Sequence, residues 1–407
     1  MTSLGPIFAD DLARIKPGDR LRLTISAQTS DAAALAQAAL EARARGERVL
    51  VVCADPADVP RLAQEMPWFE PKLDVRPLPD WETLPYDVLS PQEELVSERL
   101  EALYRLTAPT GGADVLLTSA VTASQRLSPV SYIGANTFFF HQGEQISLTT
   151  LQKRLAAAGY ANVKQVLAAG EFAVRGSIVD VFPMGSERPF RLDFFDDEIE
   201  SIRWFDVDTQ RSMESAEEIR LLPGHEFPVD PEALLAFRQR WRREFVGDPK
   251  KSIVYCDIEK EILPPGIEYY LPLFFDETAA LTDYLPPNAR VFLLGDIEVA
   301  LQAFGRDMAS RYKVLAADPQ RPALAPERIW LKPEEFFKSL ANFARFTVEK
   351  KENAEDLKRL TGIEVDRKSQ NPVGKLLERT RESAMKGVRT LIAAPSAGRM
   401  ETMSQLL

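Results

Sequence analysis

Four apolar runs alternate with amphipathic stretches over the first 125 residues, and no other feature constrains the fold as tightly. LRLTI, RVLVVCA, KLDVRPLP and DVLLTSA have the aliphatic, β-branched content of strands, while AAALAQAALEARARG, DVPRLAQEM and PQEELVSERLEALYRL lie between them with helical character. Strands joined through helices return to the same end of a sheet and so run parallel, with the helices covering its faces. The spacing therefore predicts an α/β fold. Gly46 after ARAR supplies a helix stop, and Ser90 with Pro91 and Glu93 supplies a helix start.

At 407 residues the chain exceeds one ordinary core. From residue 126 to 222 the pattern changes. TFFFHQ, EFAVRGSIVDVF, RPFRLDFF and EIESIRWFDV read as strands broken by the turns PMGSERP and FDDE, with one helix at TTLQKRLAAAGY. This predicts a small β-rich α+β domain built on hairpins. The α/β pattern then resumes, with helices at PEALLAFRQRWRREF and IEVALQAFGRDMASRY and strands at SIVYC and RVFLLGD. Residues 1–125 and 223–345 are thus two halves of one domain, and 126–222 is inserted between them. Residues 346–407 are read as a linker and part of a further α/β domain. EKKENAEDLKR is a linker or surface helix, and KGVRTLIAAPSAGRMETMSQLL, which echoes GERVLVVCADPADVPRLAQEM, is a strand and a helix on which the sequence stops, as if cut from something longer.

A net charge of −11 and a pI of about 5.1 argue against a general nucleic-acid footprint, which needs clustered Lys and Arg. Cys53 and Cys256 lie in or beside apolar runs and read as buried thiols; with only His141 and His225 besides, a His/Cys zinc site has too few ligands. No segment approaches the roughly 18 consecutive apolar residues of a membrane span, and the first residues lack a signal-peptide core, so no membrane partner and a cytoplasmic location are expected.

Two stretches carry chemical information. In LRLTISAQTSDAAALAQAALEA a strand, a polar turn and a helix follow in the order that cradles phosphate in nucleotide-binding proteins. A phosphate loop needs glycines for close backbone approach, a lysine for charge and a hydroxyl for magnesium. This turn has neither glycine nor lysine, and only hydroxyls at Ser26, Thr29 and Ser30 surround it. The competing reading is a capped helix start at Ser30 or Asp31. In PFRLDFF the two-residue period puts Phe190, Leu192 and Phe194 on one face and Arg191, Asp193 and Phe195 on the other. A phenylalanine among charges has the composition of a binding hot spot. Arg175 follows a similar alternation in the neighbouring strand.

Residues 79–105, PDWETLPYDVLSPQEELVSERLEALYR, resemble the transcription-repair coupling factor family, whose amino-terminal module in turn resembles the excision-repair helicase UvrB. TSAVTASQRL, GEFAVRGSIVDVFPMGSERPFRLDFFDDEIESIRWFDVDTQRS, LLPGHEFP and LPPGIEYYLPLFFDETAALTDYLPPNARVFLLGDIE extend the match in the same order over most of residues 1–340. The resemblance implies a helicase-like (RecA-like, P-loop NTPase-derived) parallel-sheet domain, an inserted β-rich domain, and part of a further α/β domain. UvrB carries a working phosphate loop where this chain has ISAQTSD. The family's strand-end acidic pair becomes Asp296 and Glu298, split by Ile297 and read here as opening a helix. UvrB's long DNA-clamping hairpin does not fit either, since only about a dozen residues separate Trp81 from Glu93. Trp81 and Tyr86 are then packing anchors. These readings imply a chain that is not an enzyme and holds no cofactor, ATP and magnesium belonging to the translocase part of the whole family member.

The resemblance also assigns a partner. The inserted domain is the one that binds UvrA, and the family's contact residues match Arg175, Arg191 and Phe195; the alternative roles are an ion pair with a nearby acid such as Asp193 or Asp196 for the arginines and a second-layer aromatic for Phe195. Other parts of the whole protein are implied to bind RNA polymerase and double-stranded DNA, and its carboxy-terminal part to mask the UvrA surface. Two further readings stay open: an ATP-dependent enzyme using unusual turn residues, and a nucleic-acid-binding module contacting phosphates through FRQRWRREF.

Overall fold

The computed structural model describes residues 14–26, 30–108, 112–351, 363, 371–392, 394 and 396–406. Strands β1 (Arg20–Ser26), β2 (Val49–Cys53), β3 (Val75–Pro77) and β4 (Val115–Ser119) occupy the four apolar runs. The inserted segment contributes β5 (Phe138–His141), β6 (Ala161–Asn162), β7 (Glu171–Arg175), β8 (Ile178–Val181), β9 (Phe190–Phe195), β10 (Glu198–Phe205), β11 (Ser212–Ala216) and β12 (Glu218–Leu221). Beyond it come β13 (Arg290–Leu294) and β14 (Ala344–Lys351).

A six-stranded, wholly parallel sheet runs in the order β1-β14-β13-β2-β4-β3. It draws strands from both sides of the insertion, as expected of a split domain. Every residue of β2, β4 and β13 is buried, because helices cover both faces. Alternate residues feed two cores: Leu50, Val52, Leu116, Val291 and Leu293 enter one, and Val49, Val51, Cys53, Val115, Leu117, Phe292 and Leu294 the other. The insertion forms a second six-stranded sheet, β11-β10-β9-β8-β7-β6, antiparallel except for the β6–β7 pair. Its inner face, with Phe172, Val179, Leu192, Phe194 and Ile202, joins the first of those cores without a break. A third, aromatic core gathers Trp81, Phe237, Trp241, Tyr255, Tyr269, Tyr270 and Trp330 beside the sheet.

Several expectations are corrected. SIVYC is helical: Ser252 accepts a hydrogen bond from the Tyr255 N–H and caps Ile253–Glu259, which buries Val254, Tyr255 and Ile258. Cys256, on the other side of that helix, is half-buried and not buried; its Sγ donates to the Lys250 carbonyl at 3.4 Å. Gly46 does end its helix, with φ +70° just beyond Ala44. Ser90 does not start one. The helix Glu93–Thr107 has no side-chain cap, and Ser90 instead accepts from the Gly266 N–H and donates to Glu268. The proposed boundary at 345/346 falls inside β14, and the supposed linker begins with the last residues of that strand, Glu349–Lys351, which pair with β1 beyond the end of the β13 ladder. In the final segment the helix Ala397–Leu406 is present, preceded by an unanticipated helix Gly374–Met385, but Arg389–Ile392 form no strand. A strand needs a neighbour to pair with, and among the described residues none lies alongside.

Candidate functional site

The insertion's sheet has one face in the core and one outside, and period-two alternation decides which residues stand where. Ladder pairing sets Arg175 opposite Ile178, Ile178 opposite Asp193, and Asp193 opposite Ser201, so these four lie abreast on the outer face. Phe195 stands one alternation beyond Asp193 at the tip of β9, where Asp196 turns the chain with φ +52°. Its side chain is 70% exposed, whereas Phe190, Leu192 and Phe194 are buried on the inner face as the sequence predicts. Burying a phenylalanine is worth about 1.5–3 kcal/mol, and that gain is left unrealised here. Arg175 is exposed at the same end of the sheet and donates to the Lys164 carbonyl at 3.1 Å.

Arg191 shares the face but not the exposure. Its Nε and Nη2 donate to the two carboxylate oxygens of Asp180 at 2.7 and 2.9 Å, across the ladder pair that joins β8 to β9. Nη1 donates to the Gln210 carbonyl at 3.1 Å and to Ser212 Oγ at 3.2 Å, and the guanidinium lies 5.0 Å over the Phe205 ring. Hydrogen bonding to Asp180 outweighs burial and holds its pKa above the ordinary value. The alternative role, an ion pair, is present, but with Asp180 in place of Asp193 or Asp196. Asp193 accepts from Ser201 Oγ. The outer face therefore divides: the far end is closed by a small cluster of Val166, Ala173 and Phe205 under Arg191, and the tip stays open around Phe195 and Arg175.

The nucleotide position lies at the other end of the molecule's logic. Ser26 ends β1 and Ser30 opens the next helix, while residues 27–29, including Thr29, lie outside the described residues. Asp31 is a first-turn residue and not the cap itself; it accepts from the Ala32 N–H at 2.8 Å and is 0% exposed. Arg61 closes over it with bonds of 2.5 and 3.0 Å to its two oxygens, and also binds Asp58 and Glu65. A phosphate arriving at this helix start would meet a buried carboxylate and an arginine already neutralised by three acids. No local pattern announces this pair, whose members are separated by 30 positions. Asp296 behaves as expected, capping the helix Ile297–Leu315 by accepting from the Val299 N–H at 3.0 Å, and Glu298 accepts from Gln302 within that helix.

Trp81 and Tyr86 are packing anchors. Trp81, 2% exposed, donates from Nε1 to Glu226, which is also held by Arg99 in a buried ion pair at 2.5 Å. Tyr86 donates to the Leu324 carbonyl and packs edge-on against Trp330. Gly266 lets this loop close, since a Cβ there would lie 2.5 Å from the Asp87 carbonyl. In FRQRWRREF, Arg238 pairs with Glu259, Arg240 with Asp276, and Arg242 donates to Tyr255 Oη, so three of its four arginines are engaged within the fold. Among the described residues no group of acids, histidines and cysteines could hold a metal ion, and no helix is long and apolar enough to cross a membrane.

Comparison with known proteins adds to this geometry. Residues 138–227 match the UvrB interaction domain. The chain is 42% identical over 298 residues to the transcription-repair-coupling factor of Escherichia coli K12, covering 73% of this chain and 26% of that protein. It is 39% identical over 343 residues to that of Haemophilus influenzae, covering 82% and 29%, and 32% identical over 214 residues to that of Bacillus subtilis, covering 49% and 18%. The chain thus spans between a quarter and a third of the length of the first two.

Proposed function

Because the chain belongs to the transcription-repair-coupling factor family, as its UvrB-homology module, we propose that it binds UvrA through the open tip of the insertion's outer face and performs no ATP chemistry of its own. The observation that carries this reading is Phe195, 70% exposed beside Arg175 within the span matched by UvrB interaction domains. Titration of purified UvrA tests it. Phe195→Ala weakens binding by about tenfold to a hundredfold, as expected of a hot-spot aromatic; an unchanged affinity removes the assignment.

In the whole protein this module recruits UvrA to stalled RNA polymerase in the cytoplasm. The polymerase contact, the double-stranded DNA contact and the ATP- and magnesium-dependent translocase belong to the remainder of the protein. The carboxy-terminal part masks the UvrA surface in a closed arrangement that UvrA binding opens. The isolated module therefore binds UvrA more tightly than the whole protein, and equal affinities would exclude masking.

The absence of ATP chemistry is supported by the buried Asp31 carboxylate at the helix start and by the commitment of Asp296 to a cap. Equilibrium binding of a labelled ATP analogue with magnesium is expected to show no saturable binding at micromolar concentration. Saturation would favour the enzyme reading instead.

A further inference from the structure

Arg191 is placed where a partner could reach it, yet four of its five N–H donors are engaged inside the fold. Four hydrogen bonds tie it to Asp180, Gln210 and Ser212, and its side chain is only 15% exposed. Asp180 is 1% exposed and cannot touch a partner. A guanidinium in this state cannot present a bidentate fork to a foreign carboxylate without abandoning a buried one, and an unpaired buried charge is strongly destabilising.

The apolar pattern of β9 shows what such a pair could accomplish. PFRLDFF ends in two adjacent phenylalanines, so hydrophobicity alone leaves open which of them enters the core at the tip. A one-residue slip of β9 against β8 would exchange Phe194 for Phe195 and turn the whole outer face inward. The pairing Asp180↔Arg191 is a polar requirement that only one register meets. The same guanidinium pins the β10–β11 turn at Gln210, a residue at φ +57° whose amide donates to the Val166 and Val207 carbonyls. That turn therefore closes the far end of the face.

Resting on the reading of this face as the UvrA surface, we propose that Asp180 and Arg191 are a pair of positioning residues. They fix the register that presents Phe195 and Arg175 to UvrA, and Arg191 is not itself a contact.

The test is a variant cycle read as affinity for purified UvrA, alongside the thermal midpoint of each variant. Asp180→Asn and Arg191→Gln each leave a buried charge uncompensated and weaken binding by about tenfold or more. The neutral pair Asp180→Asn/Arg191→Gln, which keeps a hydrogen bond across the same rung, recovers much of that loss. If Arg191 were a contact, the double variant would bind no better than Arg191→Gln, and that result overturns the proposal. Arg191→Lys decides independently should Asp180→Asn fail to fold. Lysine keeps the positive charge but cannot span both Asp180 oxygens and the Gln210 carbonyl, so affinity is lost; retention of wild-type affinity overturns the proposal. Phe195→Ala separates this inference from its premise. Unchanged binding in that variant removes the surface assignment, whereas loss there with full binding by Asp180→Asn removes the positioning role alone.

Discussion

Burial pushes the Glu268 carboxyl up to about 7, although its Oε2 accepts a hydrogen bond from Ser90 at 2.8 Å. Burial likewise lowers His225 to about 4, its ring stacked 5.4 Å from Phe227. A carboxyl raised in the folded state stabilises the fold fully below its unfolded value near 4.5, and that contribution is lost as pH rises through 7. A lowered histidine does the reverse: its contribution is complete above 6.5 and is lost as pH falls through 4. Glu268→Gln should therefore gain in urea midpoint relative to the wild type as pH rises from 5 to 8, and His225→Gln should gain as pH falls from 6.5 to 4. Parallel pH profiles for variant and wild type would contradict the buried character of either group. At this scale the sequence was legible where one strand's own period decided the outcome, as for Phe190, Leu192, Phe194 and Phe195. It was illegible where the deciding partner sat on another element. Asp180 lies eleven positions from Arg191, and only the β8–β9 register reveals which acid it meets.

Elements were readable where local chemistry and tertiary need agreed. The four apolar runs before residue 125 became strands because helices on both faces could bury them. SIVYC has the same apolar content, but Ser252 offers its hydroxyl to a helix start, and the aromatic core accepts Val254 and Tyr255 together with Ile258 one turn on, at helical spacing. RTLI had the content of a strand and, among the described residues, no neighbour to complete it. The helix after β13 starts on an acid that serves structure, since Asp296 satisfies an N–H that would otherwise lack a partner. Asp296→Ala should cost about 0.5–2 kcal/mol, seen as a lower urea midpoint without change in UvrA affinity. A drop in UvrA binding at unchanged stability would show that this helix communicates with the insertion.

On the scale of the whole molecule, one continuous core links the inner face of the insertion to one side of the parallel sheet, so the proposed UvrA face is backed by buried packing. The sheet itself depends on its last strand. β14 lies between β1 and β13, and among the described residues β1 has no other neighbour. A chain ending at Phe343 should lose hydrogen-exchange protection throughout β1 while the amides of β7 to β10 keep theirs; protected β1 amides would mean that the edge strand is held by its helix alone. The order of synthesis gives this arrangement a temporal meaning. Arg20 pairs with Arg345, so β1 waits for roughly three hundred residues to be made before its partner exists. The hairpins of the insertion join near neighbours in the chain and can close long before that. A nascent chain would thus acquire the surface around Phe195 before the scaffold behind it is complete, and stalled synthesis would release the insertion still lacking its support.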